Sequence, residues 1–306
     1  MVQSMIMEAG HNRRPLLETG NKVALVCCSN GQSRRNEGNI RQLENVLQQA
    51  GLTVVYSPYL YEKDSVFSGT GRERAESLMQ FYQDDSIRAI FDLSGGDLAN
   101  EILSYLDYEI IAHSDTMFWG YSDLTTVINA IYARTGKTSV LYQIRNLVSR
   151  DGIEQLENWS RSVLQGEDTL FDFRYQMVQG ASMQGIVVGG NIRCLLKLAG
   201  TPFLPDMAGK ILLLEALHGT VPQMVTYLNQ LAQMGVFEQI NGILLGTFTQ
   251  MEKENIKPGV TELLQRYAGT RIPIAKTEEI GHGTDSRAIM IGREIKCVRV
   301  ESSLSS

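Results

Sequence analysis

Short apolar segments alternate with amphipathic helical segments in the first half of the chain, and this alternation limits the fold more than any other feature. Strands are predicted at residues 22–28, 52–56, 87–93 and 109–112, and helical periodicity predicts helices over 36–50 and 72–83. A strand followed by a helix and another strand forms a right-handed crossover, which places the strands parallel in one sheet. The first half is therefore predicted to be an α/β domain with a mostly parallel sheet.

A second α/β pattern begins near residue 183, after a polar stretch in which the periodicity weakens. It contains predicted strands at 185–188, 210–214, 242–245 and 272–276, with helices over 221–234 and 259–267. The pattern divides the chain into a leader over 1–20, an N-terminal domain over 21–150, an inter-domain connection over 151–182 and a C-terminal domain over 183–306.

Composition excludes several classes of function. The net charge is −6 and the basic pairs are isolated, so no cationic stripe indicates nucleic acid as a partner. The longest apolar runs are far too short to span a bilayer, and residues 1–20 do not resemble a signal peptide, which makes the cytoplasm the expected location. The cysteines and histidines are scattered, without metal-ligand spacing, so reduced buried thiols and no bound metal are expected.

A serine lies on a sharp turn between a predicted strand and a predicted helix, in the stretch Gly120-Tyr121-Ser122-Asp123. A helix N-terminus has unpaired N–H groups and a dipole that favour developing negative charge, so a serine held there can act as a nucleophile. The closing glycine of the usual nucleophile turn is absent, since position 124 is Leu. Ser122 or Asp123 could equally be an ordinary helix N-cap.

Three more features stand at predicted strand ends or in loops. Gly95-Gly96 follows one strand, Glu215 ends another, and His282 lies between two glycines. A serine needs a base to remove its proton, and histidine suits that task when a carboxylate orients the ring. Each feature also has an ordinary interpretation, as a turn, a solvent-facing charge and a loop residue. His113 and His218 are alternative bases.

Together these stretches resemble the LD-carboxypeptidase family of serine peptidases, which includes the microcin C self-immunity proteins. The resemblance extends over about residues 22–300, and its matching stretches occur in family order: Leu93-Ser-Gly-Gly-Asp97, Leu103-Ser-Tyr-Leu-Asp-Tyr-Glu-Ile-Ile111, Gly120-Tyr-Ser-Asp123, Gly189-Gly-Asn-Ile192, Leu198-Ala-Gly-Thr-Pro-Phe-Leu-Pro-Asp206, Gly209-Lys-Ile-Leu-Leu-Leu-Glu215, Gly242-Ile-Leu-Leu-Gly246 and Gly281-His282.

The resemblance implies a Rossmann-like or flavodoxin-like N-terminal domain and a C-terminal domain around a small β-barrel. It implies Ser122 as nucleophile, Glu215 as carboxylate and His282 as base, with backbone N–H groups of Gly96 and Asp123 as the oxyanion hole. It further implies amide hydrolysis without a cofactor, a homodimer, and a small-molecule substrate. That substrate is either a murein tetrapeptide cut at its L,D bond or a microcin C-type aminoacyl-nucleotide, with the sequence closer to the microcin-immunity branch.

Other functions remain open at this stage. An α/β-hydrolase esterase shares the order of Ser, acid and His, and a non-catalytic two-domain protein could bind a small ligand in the same cleft. The chain also departs from the family pattern, because Ala216 stands where many members have Asp. Some members stack an aromatic side chain on a nucleobase, and Trp159 in the connection is a candidate for that role or for ordinary packing.

Overall fold

The computed structural model describes residues 3–4 and 14–299, which form two sheets flanked by helices. Most of the predicted leader lies outside these residues. The strands are β1 (Gln3–Ser4), β2 (Lys22–Val26), β3 (Thr53–Tyr56), β4 (Ile87–Asp92), β5 (Met117–Gly120), β6 (Ser139–Leu141), β7 (Arg174–Gln179), β8 (Ser182–Asn191), β9 (Ile211–Ala216), β10 (Gly242–Phe248), β11 (Ile274–Lys276), β12 (Ile289–Ile291) and β13 (Glu294–Val298). The α-helices are α1 (Glu37–Gln49), α2 (Gly71–Gln83), α3 (Tyr108–His113), α4 (Thr125–Thr135), α5 (Gly152–Val163), α6 (Ile192–Leu196), α7 (Val221–Gln233), α8 (Thr249–Lys253) and α9 (Val260–Ala268).

The first sheet has the strand order of the flavodoxin-like fold. Its order is β3-β2-β4-β5-β6-β12, and β2 to β6 run parallel. Counted from β2, this is the order 2-1-3-4-5, in which ligands bind beyond the carboxyl ends of the strands. The predicted flavodoxin-like parallel sheet is confirmed. Its edge strand β12 is antiparallel to β6 and comes from the far end of the chain.

The second sheet is mixed and curls into a half-barrel. Its order is β1-β7-β11-β10-β9-β8-β13, with β8 to β11 parallel and the outer pairs antiparallel. The curl brings β7 towards β13: Tyr175 Oη accepts a hydrogen bond of 2.9 Å from Val298 N, although five strand pairings separate the two strands. The half-barrel matches the expected barrel-like second domain.

Helix α4 joins the two sheets. The Asn129 side chain donates to Gly189 O at 2.9 Å and accepts from Gly189 N at 2.8 Å. Thr125 Oγ1 accepts from Asn191 N at 3.0 Å, and a side chain at Gly190 would collide with Thr125. Because α4 begins just after the Ser122 turn, these bonds attach the serine-bearing turn to β8 of the other sheet.

Residues of the predicted connection pack on the outer face of the first sheet. Trp159 on α5 is fully buried, and its ring meets the ring of Phe91 edge to face, with centroids 6.5 Å apart. The same apolar cluster contains Trp119 and Phe171. The connection also supplies β7 to the second sheet. The domain boundaries given above stay a prediction.

One predicted strand is in fact a helix. The sequence pattern placed a strand at 109–112, where the structure has α3. The Asp107 carboxylate caps this helix by accepting hydrogen bonds from the backbone N–H groups of Glu109 and Ile110. The two adjacent isoleucines gave the segment a strand-like appearance, but the capping residue and tertiary packing determine the local structure.

Candidate active site

Ser122 lies in a strained turn at the carboxyl end of β5. Its φ angle is 55°, in the left-handed region that residues other than glycine rarely adopt. The turn is tight because Gly120 has no side chain: a Cβ there would lie 2.7 Å from Leu124 Cβ. Leu124 is itself fully buried, so it fills the core where the usual motif has its closing glycine.

The carboxylate of Asp123 anchors this turn from inside the protein. Asp123 is fully buried, and its Oδ2 accepts hydrogen bonds from Ser29 Oγ at 2.7 Å and Ala99 N at 2.8 Å. Its Oδ1 pairs with Lys197 Nζ at 2.5 Å. Lys197 follows α6, so a buried ion pair ties the serine turn to the second half of the chain. Asp123 is thus held through its side chain, while its backbone N–H stays at the start of the helix.

The Gly95-Gly96 backbone passes beside Ser122. A Cβ on Gly95 would lie 4.0 Å from Ser122 Oγ. Gly96 has φ 119°, and a side chain there would overlap the Asn30 amide, so this turn requires glycine. The Gly95 carbonyl, which shares its peptide with the Gly96 N–H, accepts from Asn30 N at 3.2 Å, and the Gly96 carbonyl accepts from Arg193 at 3.2 Å. Gly96 and Asp123, the two predicted oxyanion donors, therefore belong to the two turns that flank Ser122.

Glu215 and His282 form a buried pair. His282 Nδ1 lies 2.5 Å from Glu215 Oε2, and both side chains are 3% exposed. Because a carboxylate only accepts, Nδ1 carries the proton and donates it in this bond, which leaves Nε2 with its lone pair. Nε2 is buried and has no hydrogen-bond partner within the described residues. The pair thus presents an oriented imidazole nitrogen that can accept a proton.

The loop that carries His282 is held by small residues and backbone bonds. Ser286 Oγ donates to the carbonyls of Gly281 and Gly283, at 2.9 and 2.7 Å. Gly281 has φ 152°, and a Cβ there would lie 1.9 Å from Thr247 Oγ1. Gly246 on β10 likewise leaves room for the Ile280 carbonyl and for Glu215. Glycines on the strand and in the loop therefore allow His282 to reach the carboxylate.

Ser122 and His282 line adjoining cavities. One cavity is lined by Ser122 and Glu215, the other by His282, and both include Tyr121, Gln143 and Gly281. The Tyr121 ring packs against the imidazole with centroids 5.1 Å apart. No hydrogen bond joins Ser122 Oγ to His282 within the described part of the chain. The structure brings Glu215 and His282 into contact and places Ser122 in the neighbouring cavity.

The alternative bases and the candidate stacking residue lie elsewhere. His113 is exposed at the end of α3 and bonds to the Glu109 carbonyl, and His218 is exposed beyond β9. Neither contacts Ser122 through any hydrogen bond of the described residues. Trp159 is buried in the core, so packing is its role here and it has no free face for a nucleobase.

The four cysteines do not compete with Ser122 as nucleophiles. All four are buried and free of disulfides. Burial raises the pKa of the thiols of Cys27, Cys28 and Cys194, and it raises the pKa of Cys297 to about 12. The thiolate is the reactive form of cysteine, so these side chains are unreactive.

Sequence reasoning missed three polar side chains near the site: Lys197, Gln143 and Arg145. Gln143 and Arg145 follow β6, the neighbour of β5, so they lie at the same sheet edge as Ser122. The rule that sites form beyond the carboxyl ends of parallel strands could have identified them. Lys197 gives no comparable signal, because its partner Asp123 is distant in sequence.

Neither a metal cluster nor a membrane-spanning helix occurs among the residues that the structure describes. No group of three or more His, Cys, Asp or Glu side chains there could hold a metal ion. None of the helices in residues 14–299 combines the length and the apolar character needed to cross a bilayer.

The fold is that of a two-domain α/β protein, and comparison with known families identifies it further. The LD-carboxypeptidase N-terminal domain matches residues 23–142, and the LD-carboxypeptidase C-terminal domain matches residues 184–297. The chain therefore belongs to the LD-carboxypeptidase family of serine peptidases.

Individual relatives fall into two groups. A probable murein peptide carboxypeptidase of Bacillus subtilis is 28% identical, over 80% of this chain and 80% of its own length. The microcin C7 self-immunity protein MccF of Escherichia coli is 24% identical, over 77% of this chain and 78% of its own. A solved structure of MccF in complex with glutamyl sulfamoyl guanosine has a TM-score of 0.81 at 19% identity, covering 94% of this chain and 98% of that one. The last likeness confirms the fold.

Proposed function

We propose that this protein is a serine carboxypeptidase that hydrolyses the L,D amide bond at the end of a murein tetrapeptide. In this proposal Ser122 is the nucleophile, His282 the general base and Glu215 the carboxylate that orients the imidazole. The buried Glu215–His282 pair carries the proposal, because its bond of 2.5 Å leaves the other imidazole nitrogen without a partner next to the serine cavity.

The chemistry follows from this arrangement. His282 Nε2 takes the proton from Ser122 Oγ as the oxygen attacks the carbonyl carbon of the scissile amide. The C–N bond then breaks, and His282 gives the proton to the leaving amine. Water then attacks the acyl-enzyme, with His282 again as base, and the ester bond to Ser122 breaks. The hydrogen bond between Ser122 Oγ and His282 Nε2 would form in the substrate complex, as catalytic hydrogen bonds often tighten only when substrate is bound.

The backbone N–H groups of Gly96 and Asp123 would hold the oxyanion. Gly96 lies next to Gly95, whose bare backbone faces Ser122 Oγ, and Asp123 begins the helical turn after the nucleophile. Removing one donor from such a site typically slows catalysis about 100-fold or more. The buried Lys197–Asp123 pair supports this role, because it holds the donating peptide in place before substrate arrives.

Among the two substrate classes of the relatives, the packing of residues 151–182 favours a peptide over an aminoacyl-nucleotide. The aromatic side chains of this segment, Trp159, Phe171, Phe173 and Tyr175, are all buried. None of them offers an exposed face on which a nucleobase could stack. The aminoacyl-nucleotide remains the second candidate through the similarity to MccF. The cytoplasmic location and the homodimer also remain proposals, the first supported by the composition and the second by the family resemblance.

Replacing Ser122 with alanine tests the proposal. The purified full chain is incubated with a synthetic murein tetrapeptide ending in D-alanine, and released D-alanine is measured. We expect the wild-type chain to release it and the Ser122→Ala variant to release at most about one-thousandth as much, because the nucleophile is gone.

Ser114→Ala is the matched control, because Ser114 is a loop serine after α3 that lies outside both cavities. This variant should keep full activity. Release of D-alanine by Ser122→Ala at the wild-type rate would refute the assignment of the nucleophile. Hydrolysis of an aminoacyl sulfamoyl adenosine in place of the tetrapeptide would favour the second substrate class.

A further inference from the structure

The cavity lined by His282 contains a cationic side chain that the proposed mechanism does not use. The cavity has a volume of about 270 Å³ and extends from His282 to Arg145, on the short helical turn Ile144–Val148 after β6. Arg145 is the one Lys or Arg among its lining residues, and no Asp or Glu lines it. The cavity is therefore electrostatically suited to an anion.

The guanidinium of Arg145 is not neutralised by the residues that the structure describes. Its Nη1 donates to the amide oxygen of Gln32 at 3.3 Å, and no carboxylate lies within ion-pair distance of it. Its Nε is buried without a hydrogen-bond partner. A buried donor without a partner is costly, and a charged donor especially so, which suggests that a ligand atom supplies the missing acceptor.

A second buried donor in the same cavity lacks a partner. Gln143 is 8% exposed, and its amide oxygen accepts from Arg145 N at 3.1 Å, which fixes the orientation of the side chain. Its Nε2 is buried and bonds to nothing within the described residues. Gln143 and Arg145 thus each have an unpartnered donor and line the same cavity, and a carboxylate can accept from two donors at once.

This cavity lies on the side of the site where the leaving group departs. His282 lines it, while Ser122 lines the adjoining cavity. In the proposed mechanism His282 protonates the leaving amine, so the leaving residue must lie next to the imidazole. The free α-carboxylate of that residue is only two bonds from its amine nitrogen, within the reach of a cavity of this size.

We propose that Arg145 and Gln143 bind the free α-carboxylate of the leaving amino acid. This inference rests on the proposed function, since it assigns the leaving side from the role of His282. It makes Arg145 a determinant of specificity: peptides that end in a carboxylate are accepted, and those that end in an uncharged group are disfavoured.

The experiment compares two peptides that differ only at the C-terminus. One is the tetrapeptide ending in D-alanine, and the other is the same peptide ending in D-alaninamide. A charge-assisted hydrogen bond contributes about 1.5–3 kcal/mol, which corresponds to about a 10- to 100-fold difference in kcat/KM. We expect the wild-type chain to prefer the acid by that factor. Arg145→Gln should lower kcat/KM for the acid by the same factor and leave kcat/KM for the amide nearly unchanged. Arg145→Lys should give a value of kcat/KM for the acid between those of Arg145→Gln and wild type.

Arg161→Gln is the matched control, since Arg161 is an exposed arginine on α5 that pairs with Glu167 and does not line the cavity. It should keep the wild-type preference. An acid-to-amide ratio that is the same in Arg145→Gln and in wild type would overturn the inference, and so would equal wild-type rates on both peptides. With either outcome, hydrolysis that is lost in Ser122→Ala would still support the proposed function. Hydrolysis of neither peptide by the wild-type chain would refute both.

Discussion

The Ser122 turn and the His282 loop hold their side chains by different physical means. The serine turn depends on charge: the fully buried Asp123 carboxylate takes two hydrogen bonds and the Lys197 ammonium. Apart from the Glu215–His282 pair itself, no ion pair of the described residues involves the histidine loop, residues 281–286. It depends on Ser286 hydroxyl bonds to two carbonyls and on the absence of a side chain at Gly281.

This difference indicates which half of the site is rigid. A buried charge pair with further hydrogen bonds is costly to disrupt, so the nucleophile and its neighbouring N–H group are set when the chain folds. The histidine loop is partly exposed at Gly283 and Thr284, although the His282 side chain is buried, and its shape depends on steric fit. We infer that substitutions of the charged residues that anchor the serine turn mainly affect folding, whereas those in the histidine loop mainly affect catalysis.

The largest expected effect comes from removing the cation of the serine turn. Lys197→Met leaves the buried Asp123 carboxylate without its counter-charge. Breaking a buried ion pair in this way typically costs about 3–5 kcal/mol. We expect the free energy of unfolding, measured by urea denaturation, to fall by about that amount.

Two further variants sharpen this result. Lys296→Met removes an exposed lysine from β13 and should change the unfolding free energy by less than about 0.5 kcal/mol. The double variant Lys197→Met/Asp123→Asn removes both charges and should regain part of the loss, because no unpaired charge stays buried. A Lys197→Met chain as stable as wild type would contradict the idea that charge holds the serine turn.

A smaller effect, on catalysis, is expected from Gly281→Ala. The added Cβ would lie 1.9 Å from Thr247 Oγ1, at a φ of 152° that favours glycine, so the loop must shift. A displacement of about 1 Å at a catalytic group can cost about 100-fold in rate. We expect kcat/KM on the tetrapeptide to fall by about that factor. The free energy of unfolding should fall by less than in Lys197→Met.

Thr247→Ala provides the control for this variant. Adding it to Gly281→Ala removes the colliding hydroxyl and should restore part of the activity, although the backbone strain stays. If Gly281→Ala instead lowered stability by several kcal/mol and left kcat/KM unchanged, the distinction between the two halves of the site would be wrong.

The sequence predicted those parts of the molecule that depend on local pattern. The change from strand to helix periodicity located the Ser122 turn. The position of Glu215 after four aliphatic residues placed it near the carboxyl end of a strand. The flavodoxin-like order came from the family resemblance and is confirmed. The three proposed catalytic residues stay a prediction, although Glu215 and His282 are in contact.

The parts that sequence reasoning missed depend on distant contacts. Strand β12 joins the first sheet by pairing with β6, about 150 residues away, and no local periodicity encodes that partner. Trp159 could not be assigned to the core without knowing that α5 packs against Phe91. Lys197 was missed for the same reason, because its importance comes only from the burial of Asp123.

The smallest expected effect tests the strain at the serine itself. At φ 55° glycine is unstrained, whereas alanine and serine are not. Ser122→Gly and Ser122→Ala both remove the nucleophile, so both should be inactive, but the glycine variant should be more stable to urea by about 1 kcal/mol. Equal stability of the two variants would show that the turn relaxes without its hydroxyl. The buried charges would then not make the serine turn rigid, and the serine turn and the histidine loop would differ less in rigidity than proposed.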